Sequence, residues 1–439
     1  MTPCENDSLW RRLRAAARGG IEGAAGRSPG GLRPVAVIAC IVALAMPRAR
    51  GDWPQFRGPD GSGHAAADPP VRWSETEGVV WKTPLPGLAW SSPVVCRGGI
   101  YLTTAVPDDA GHSLRLLRLD ATKGTVDWTK ELFRQEGQVP IHKKNSHASP
   151  TPVVDGDHLI VHFGPHGTAR TTLTGDVVWQ RVLDYKPVHG NGGSPALAGD
   201  VVVICCDGGD TQFVVGLDRT TGEERWRTPR DTAPAKGFSF STPLVIDVDG
   251  RAQAVCPGSD AVFAYDPADG SEIWRVNYPG GYSVTPRPVY GAGLVYVSSG
   301  YDRPVLYAID PRGRGDVTAT HVRWKLERGA PHTPSVLVVG DEFYCVADNG
   351  IATCLDARSG AEHWVQRLGG NYSASPLHAA GRVYFQEETG ETIVVQAGRA
   401  FVELARNRVG DGERTYASHA LDGDDLLLRS EAALYRIAR

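Results

Sequence analysis

No apolar run in this chain reaches the length of about 18 residues that a membrane-spanning helix needs. The run Val35–Met46 has only twelve residues. No Cys-x-x-Cys-His string occurs among the 8 cysteines, so there is no built-in haem site. None of the 13 histidines is spaced with others as a zinc set. Asp247-x-Asp249-Gly250 lacks the remaining ligands of a calcium loop. Neither a glycine-rich phosphate loop nor a Ser/His/Asp order stands out. A basic surplus is missing as well. Residues 1–51 hold eight arginines against three acids, so the formal −4 of the chain leaves −9 on residues 52–439. An acidic body excludes nucleic acid and anionic membrane as the main partner.

What the N-terminus does contain is a leader pattern. Arg33 precedes the apolar run, and Ala49-Arg50-Gly51 places small residues at −3 and −1. That is the layout of a secretory signal peptide, with cleavage expected near Gly51–Asp52 and export as the consequence. Val37-Ile38-Ala39-Cys40 is not read as a lipidation box, because the apolar run continues past Cys40. The expected organisation is a leader over residues 1–51 and one domain over 52–439, with no stable transmembrane segment after cleavage.

Glycine and proline are abundant, with 52 and 31 copies, and they recur between short apolar runs as turn signals. The string Asp-x3-Gly-x3-Trp occurs four times, at Asp120-Gly124-Trp128, Asp218-Gly222-Trp226, Asp266-Gly270-Trp274 and Asp356-Gly360-Trp364. Degenerate copies end at Trp179 and Trp324. Each unit opens on Ser/Thr-Pro, as at Ser92-Pro93, Ser149-Pro150, Ser194-Pro195, Thr242-Pro243, Thr285-Pro286, Thr333-Pro334 and Ser375-Pro376. Asp can bond its own following backbone, Gly supplies the positive φ of the turn, and Trp fills a wedge between neighbours. Units of roughly 40–50 residues with period-2 strands read as four-stranded propeller blades.

Seven units are complete, the last with Phe401 in the tryptophan position. The strand around Trp81 has no unit of its own, and residues 415–439 lack an outer strand. The fold expected is therefore an all-β, eight-bladed propeller of four-stranded antiparallel blades, its ring closed by the N-terminal strand. Closure removes the exposed edges of an open sheet.

These landmarks resemble the pyrroloquinoline-quinone-like propeller repeat proteins over essentially all of residues 52–439. The opening Asp52-Trp53-Pro54-Gln55-Phe56-Arg57-Gly58-Pro59 resembles the start of many exported bacterial members. The resemblance spans quinoprotein dehydrogenases and the non-enzymatic lipoprotein propeller of outer-membrane assembly. It therefore implies fold and compartment, not chemistry. Under the dehydrogenase alternative, pyrroloquinoline quinone with calcium would be the cofactor, and Cys205-Cys206 would match the adjacent-cysteine disulfide seen there. Alternation along a strand instead points the two thiols to opposite faces.

Chain direction separates the faces of the disc. One carries generic Asp/Gly turns. The other carries the blade-to-blade connections, with Trp90, Lys144, His147, His189, Asn191, Asp207, Phe240, Tyr282, His332 and Tyr372. Aromatic and polar residues gathered at one mouth are what a recognition surface looks like. The expectation is a periplasmic or otherwise exported binding or scaffolding module with no catalytic residue, metal or cofactor, whose partner is a protein or cell-envelope component. Finally, Asn349-Gly350 as a two-residue hairpin turn would set Cys345 opposite Cys354. A disulfide or two packed thiols would both fit that register.

Overall fold

A computed structural model describes residues 52–137, 139–410 and 412–439; the leader assigned to 1–51 lies outside them. The strands form eight sheets. The first seven blades cover residues 94–136, 153–181, 196–229, 244–277, 289–326, 337–367 and 377–408. The eighth joins Ala420–Asp422, Asp425–Arg429 and Ala433–Ile437 to Val79–Pro84, with Trp81 opposite Arg436. The N-terminal strand thus closes the ring as its orphan position in the sequence requires.

The repeat motif works as a handshake between blades. In each exact copy the aspartate accepts from amides of its own turn, as Asp218 does from Thr220 and Thr221 at 2.8 Å. Its glycine lies at φ of 72 or 73°. The tryptophan of the preceding blade lies on that glycine: a Cβ on Gly222 would fall 2.5 Å from the Trp179 ring, and one on Gly270 2.4 Å from Trp226. The indole N–H of Trp179 then donates to the Arg219 carbonyl, and that of Trp226 to Pro267. Glycine is needed here twice over, for the turn and for the ring that covers it. In all eight blades the outer strand bulges by one residue just before this position. A bulge there blunts the outer edge of each sheet that no further strand covers.

A second set of links joins the inner strands. The amide of Ser92 donates to the Thr151 hydroxyl, Thr151 to Ser194, and Ser194 to Thr242; Arg287 donates to Ser335, Ser335 to Ser375, and Ser375 to Ser418. The structural landmark in blades 2, 5 and 6 is therefore Thr151, Arg287 and Ser335, the residue immediately after each Ser/Thr-Pro pair read from the sequence. Arg287 stands where a hydroxyl would be, and no Thr242 link continues the chain there.

The stretch ahead of the first blade closes the central channel from the turn face. Trp53 pairs with Val95 in blade 1, and the Pro54 carbonyl accepts from Val154 in blade 2 at 2.7 Å. Two residues on, the Phe56 carbonyl accepts from Arg287 of blade 5, and Arg57 reaches the Val336 carbonyl of blade 6. His64–Ala65 then adds a parallel strand to His378–Ala379 in blade 7. Bonding blades 1 and 2 and then blades 5 to 7 within so few residues takes the segment straight across the hole.

Two expectations are corrected. The tryptophan position of blade 7 is Ala405, not Phe401, because the bulge pairs Val394 with Ala405. Phe401 precedes the strand and packs on Trp364 at 5.2 Å. Trp73, from the N-terminal segment, joins Ala405 in one buried cluster. In the second case Cys345 does not face Cys354. Gly350 donates to the Ala347 carbonyl and Ala347 to Ile351, with Gly350 at φ 78°. That is a three-residue loop with a glycine bulge, not a two-residue turn. The extra residue shifts the register, so Cys345 opposes Thr353 and Cys354 opposes Tyr344. The two thiols lie in different inter-blade cores and are free. Denatured, unreduced protein should therefore be alkylated at both Cys345 and Cys354; a linked peptide pair in the mass spectrum would contradict the register.

Candidate functional site

On the connection face, side chains from successive blades touch in a continuous arc. His142 meets His189 at 5.8 Å between ring centroids, His189 meets Phe238 at 5.4 Å, and Phe238 meets Tyr282 at 5.6 Å. Tyr282 meets Tyr301 at 6.2 Å, and Tyr301 meets His332 at 5.5 Å. Phe240 packs beside Phe238 at 6.0 Å. The Tyr282 hydroxyl accepts from Lys236 at 2.7 Å and donates to Asp302 at 2.6 Å. Its pKa is raised by burial and by Asp302, while the hydrogen bond from Tyr282 holds Asp302 below the usual carboxylate range. Tyr301 is 53 % exposed, and beside it opens a groove of about 630 Å³ walled by Tyr278, Tyr301, Asp302, Arg303 and Tyr307.

Across the mouth, the long connection between blades 1 and 2 leans over the ring. Lys144 Nζ pairs with Glu388 of blade 7 at 2.6 Å and sits 5.9 Å from the Tyr416 ring. Glu388 also accepts from the Ser373 hydroxyl at 2.5 Å. Trp90 packs at a tilt against Tyr416, 4.6 Å between ring centroids, with Arg414 5.6 Å from its indole. His147 packs on His112 at 4.3 Å; burial, followed by the charges of His112 and His166, pushes its pKa down to about 4. Below Trp90, Arg429 is buried and donates to Ser91 and to the Thr103 carbonyl. Burial lowers its pKa to about 9.

Of the residues expected from the sequence, Trp90, Lys144, His147, His189, Phe240, Tyr282 and His332 belong to this one face and touch its other members. Three are committed elsewhere. Asp207 is 3 % exposed and holds Arg230 through two bonds of 2.6 and 2.9 Å. Tyr372 is wholly buried between blades 6 and 7. Asn191 accepts from the Tyr185 hydroxyl at 3.2 Å and packs on Gly164. The strand following a connection says on which face a residue lies, but not how deep. Phe238 and Tyr301 went unread, although the two-residue alternation with Phe240 and the Gly300 turn were the available signals.

This is an eight-bladed propeller of the quinoprotein-repeat type, with a recognition-like mouth on one face and a stopper in the other. The chain belongs to the family whose model is described as outer membrane protein assembly factor BamB, matched over residues 70–209, 210–317 and 313–433. No curated protein matches it in sequence. Among solved structures it is similar to BamB from Moraxella catarrhalis, at 14 % identity and TM-score 0.56, covering 82 % of this chain and 99 % of that one. Quinohemoprotein alcohol dehydrogenase from Comamonas testosteroni matches at 12 % identity and TM-score 0.51, covering 88 % and 80 %. The computationally designed Ika8 protein matches at 9 % identity and TM-score 0.55, covering 80 % and 100 %. At these identities the likeness is one of fold. Among the described residues no helix is long and apolar enough to cross a membrane.

Proposed function

We propose that this protein is an exported binding or scaffolding propeller that captures a partner, a protein or another cell-envelope component, through its connection face. The observation that carries this reading is the unbroken aromatic and histidine arc from His142 to His332 on one mouth, set against the plain turns and the crossing segment on the other. His142, His189 and Tyr301 of this arc are exposed, and aromatic groups with an accessible face give contact area at low entropic cost. The solved neighbour named BamB supports a cell-envelope setting by its family title alone.

The quinone alternative finds little support in the residues. Cys205 and Cys206 sit in different inter-blade clusters, Cys206 toward blade 2 and Cys205 toward blade 4, and both are free. Asp207 is occupied by Arg230. No three His, Cys, Asp or Glu side chains among the described residues converge as a cation site. These three observations weigh against a quinone held with calcium.

A photo-crosslinking residue placed at Tyr301 should capture a defined envelope partner in cells, while the same residue at Tyr290, 37 % exposed on the turn face, should not. Phe238→Ala with Tyr301→Ala should weaken that capture by about 30-fold and leave the melting midpoint near that of the parent. Equal capture from both faces, or sustained dye-linked oxidation after quinone and calcium reconstitution, would defeat the reading.

A further inference from the structure

Among the described residues, the stopper brings two buried cations together with one acid at the solvent edge, Asp60, as their counter-charge. Arg57 and Arg287 are 2 % and 3 % exposed. Arg287 is fully engaged: its guanidinium donates to the Pro243 carbonyl at 3.2 Å, the Phe56 carbonyl at 2.8 Å and Gln55 Oε1 at 3.1 Å. Arg57 is engaged on one nitrogen. Its Nη2 donates to the Ser62 and Val336 carbonyls, both at 2.6 Å, while Nε and Nη1 are buried with no partner among the described residues. The acid that faces the pair is Asp60, which lies at the solvent edge and already accepts from the Ser62 amide and hydroxyl. His64 and His378 meet through their Nδ1 atoms at 3.1 Å, and burial holds both below the usual histidine range. They add no negative charge.

Carbonyls satisfy N–H groups but leave the charge in place. A buried cation without a counter-charge carries a large desolvation cost, and the second guanidinium adds repulsion. Burial and mutual repulsion lower Arg57 to about 9, and burial lowers Arg287 to about 10. A water molecule at the free N–H groups would accept their hydrogen bonds and leave that repulsion unchanged. An anion does both. The packing around the pair is tight, with a Cβ on Gly61 falling 2.2 Å from Arg287 Nη1 and one on Gly63 2.6 Å from Arg57 Nη2, so a bulky polyatomic anion is disfavoured.

We propose that the closed end of the channel holds one monatomic halide ion, chloride under ordinary conditions, against the unpaired N–H groups of Arg57. The ion would bind the folded ring and not the open chain, locking the N-terminal segment across the hole. Thermal unfolding of the whole protein in sodium chloride, compared with sodium gluconate at matched ionic strength, should show a saturable rise of roughly 2–5 °C specific to chloride. Arg57→Gln should abolish the increment, and Arg303→Gln, an arginine of the opposite face, should retain it. Bromide-grown crystals of the native chain should show an anomalous peak within hydrogen-bond distance of Arg57, which decides the matter even if Arg57→Gln does not fold. Identical melting in the two salts, an increment that survives Arg57→Gln, or a peakless site would overturn the proposal.

Discussion

Asp207→Ala should lower the free energy of unfolding by about 3–5 kcal/mol, the cost of leaving a buried charge alone. The pair it breaks is bidentate, with Arg230 Nε and Nη2 on the two carboxylate oxygens, and both side chains are essentially without solvent contact. Arg230 also donates to the Cys256 and Pro257 carbonyls, so one guanidinium ties blade 3 to blade 4. Burial alone would push the Asp207 carboxyl up; the short two-point geometry is that of a charged pair, and the carboxylate in turn raises Arg230. Removing the acid leaves the guanidinium with neutral acceptors only. Replacing both residues, Asp207→Leu with Arg230→Met, should restore most of the loss, because well-packed apolar groups substitute for buried pairs at little cost. A urea midpoint for Asp207→Ala within error of the parent would show that the pair carries no such weight.

Trp274→Ala should be of similar size, about 3–5 kcal/mol. Trp274 is the one repeat tryptophan with no exposure at all, and its indole N–H donates to Gln253 Oε1 at 2.7 Å. The reason for its burial is the insertion in blade 5, whose Gly315–Asp316 pairs in parallel with Trp274–Arg275 and covers the outer edge of blade 4. Alanine would open a cavity under that added strand and strip Gln253 of a donor. Trp128, only partly buried on its uncovered edge, should cost clearly less by the same measurement. Equal losses at the two positions would mean that the repeat position, and not the cover, sets the energy.

The ring was legible because its repeat carries its own chemistry. Asp, Gly and Trp at fixed spacing each have one physical job, and the odd strand at Trp81 could only belong to the last blade. The register at Cys345 was not, because Asn-Gly serves a two-residue turn and a three-residue loop with a glycine bulge equally well. Phe401 misled for a related reason: blade 7 lacks the Asp–Gly spacing that locates the outer strand. At the mouth, chain direction sorted the faces, yet it carries no information on radial depth. Asp207 is the last residue of the strand Val201–Asp207 and is buried, whereas Tyr301 sits past a glycine and is exposed. The crossing segment was invisible as such, since an irregular stretch held by carbonyls and arginines has no period to read.

If the proposed binding face takes a polymer, that crossing segment limits which part of the polymer it can take. With Trp53 to Ala65 laid across the far end, a peptide or glycan chain that enters between the aromatic rings has no exit behind it. On the proposed reading, the partner would offer a terminus, a hairpin tip or a side branch, and would leave by the way it came. The protein cannot be threaded, slide along a strand, or act as a ring through which a substrate is drawn.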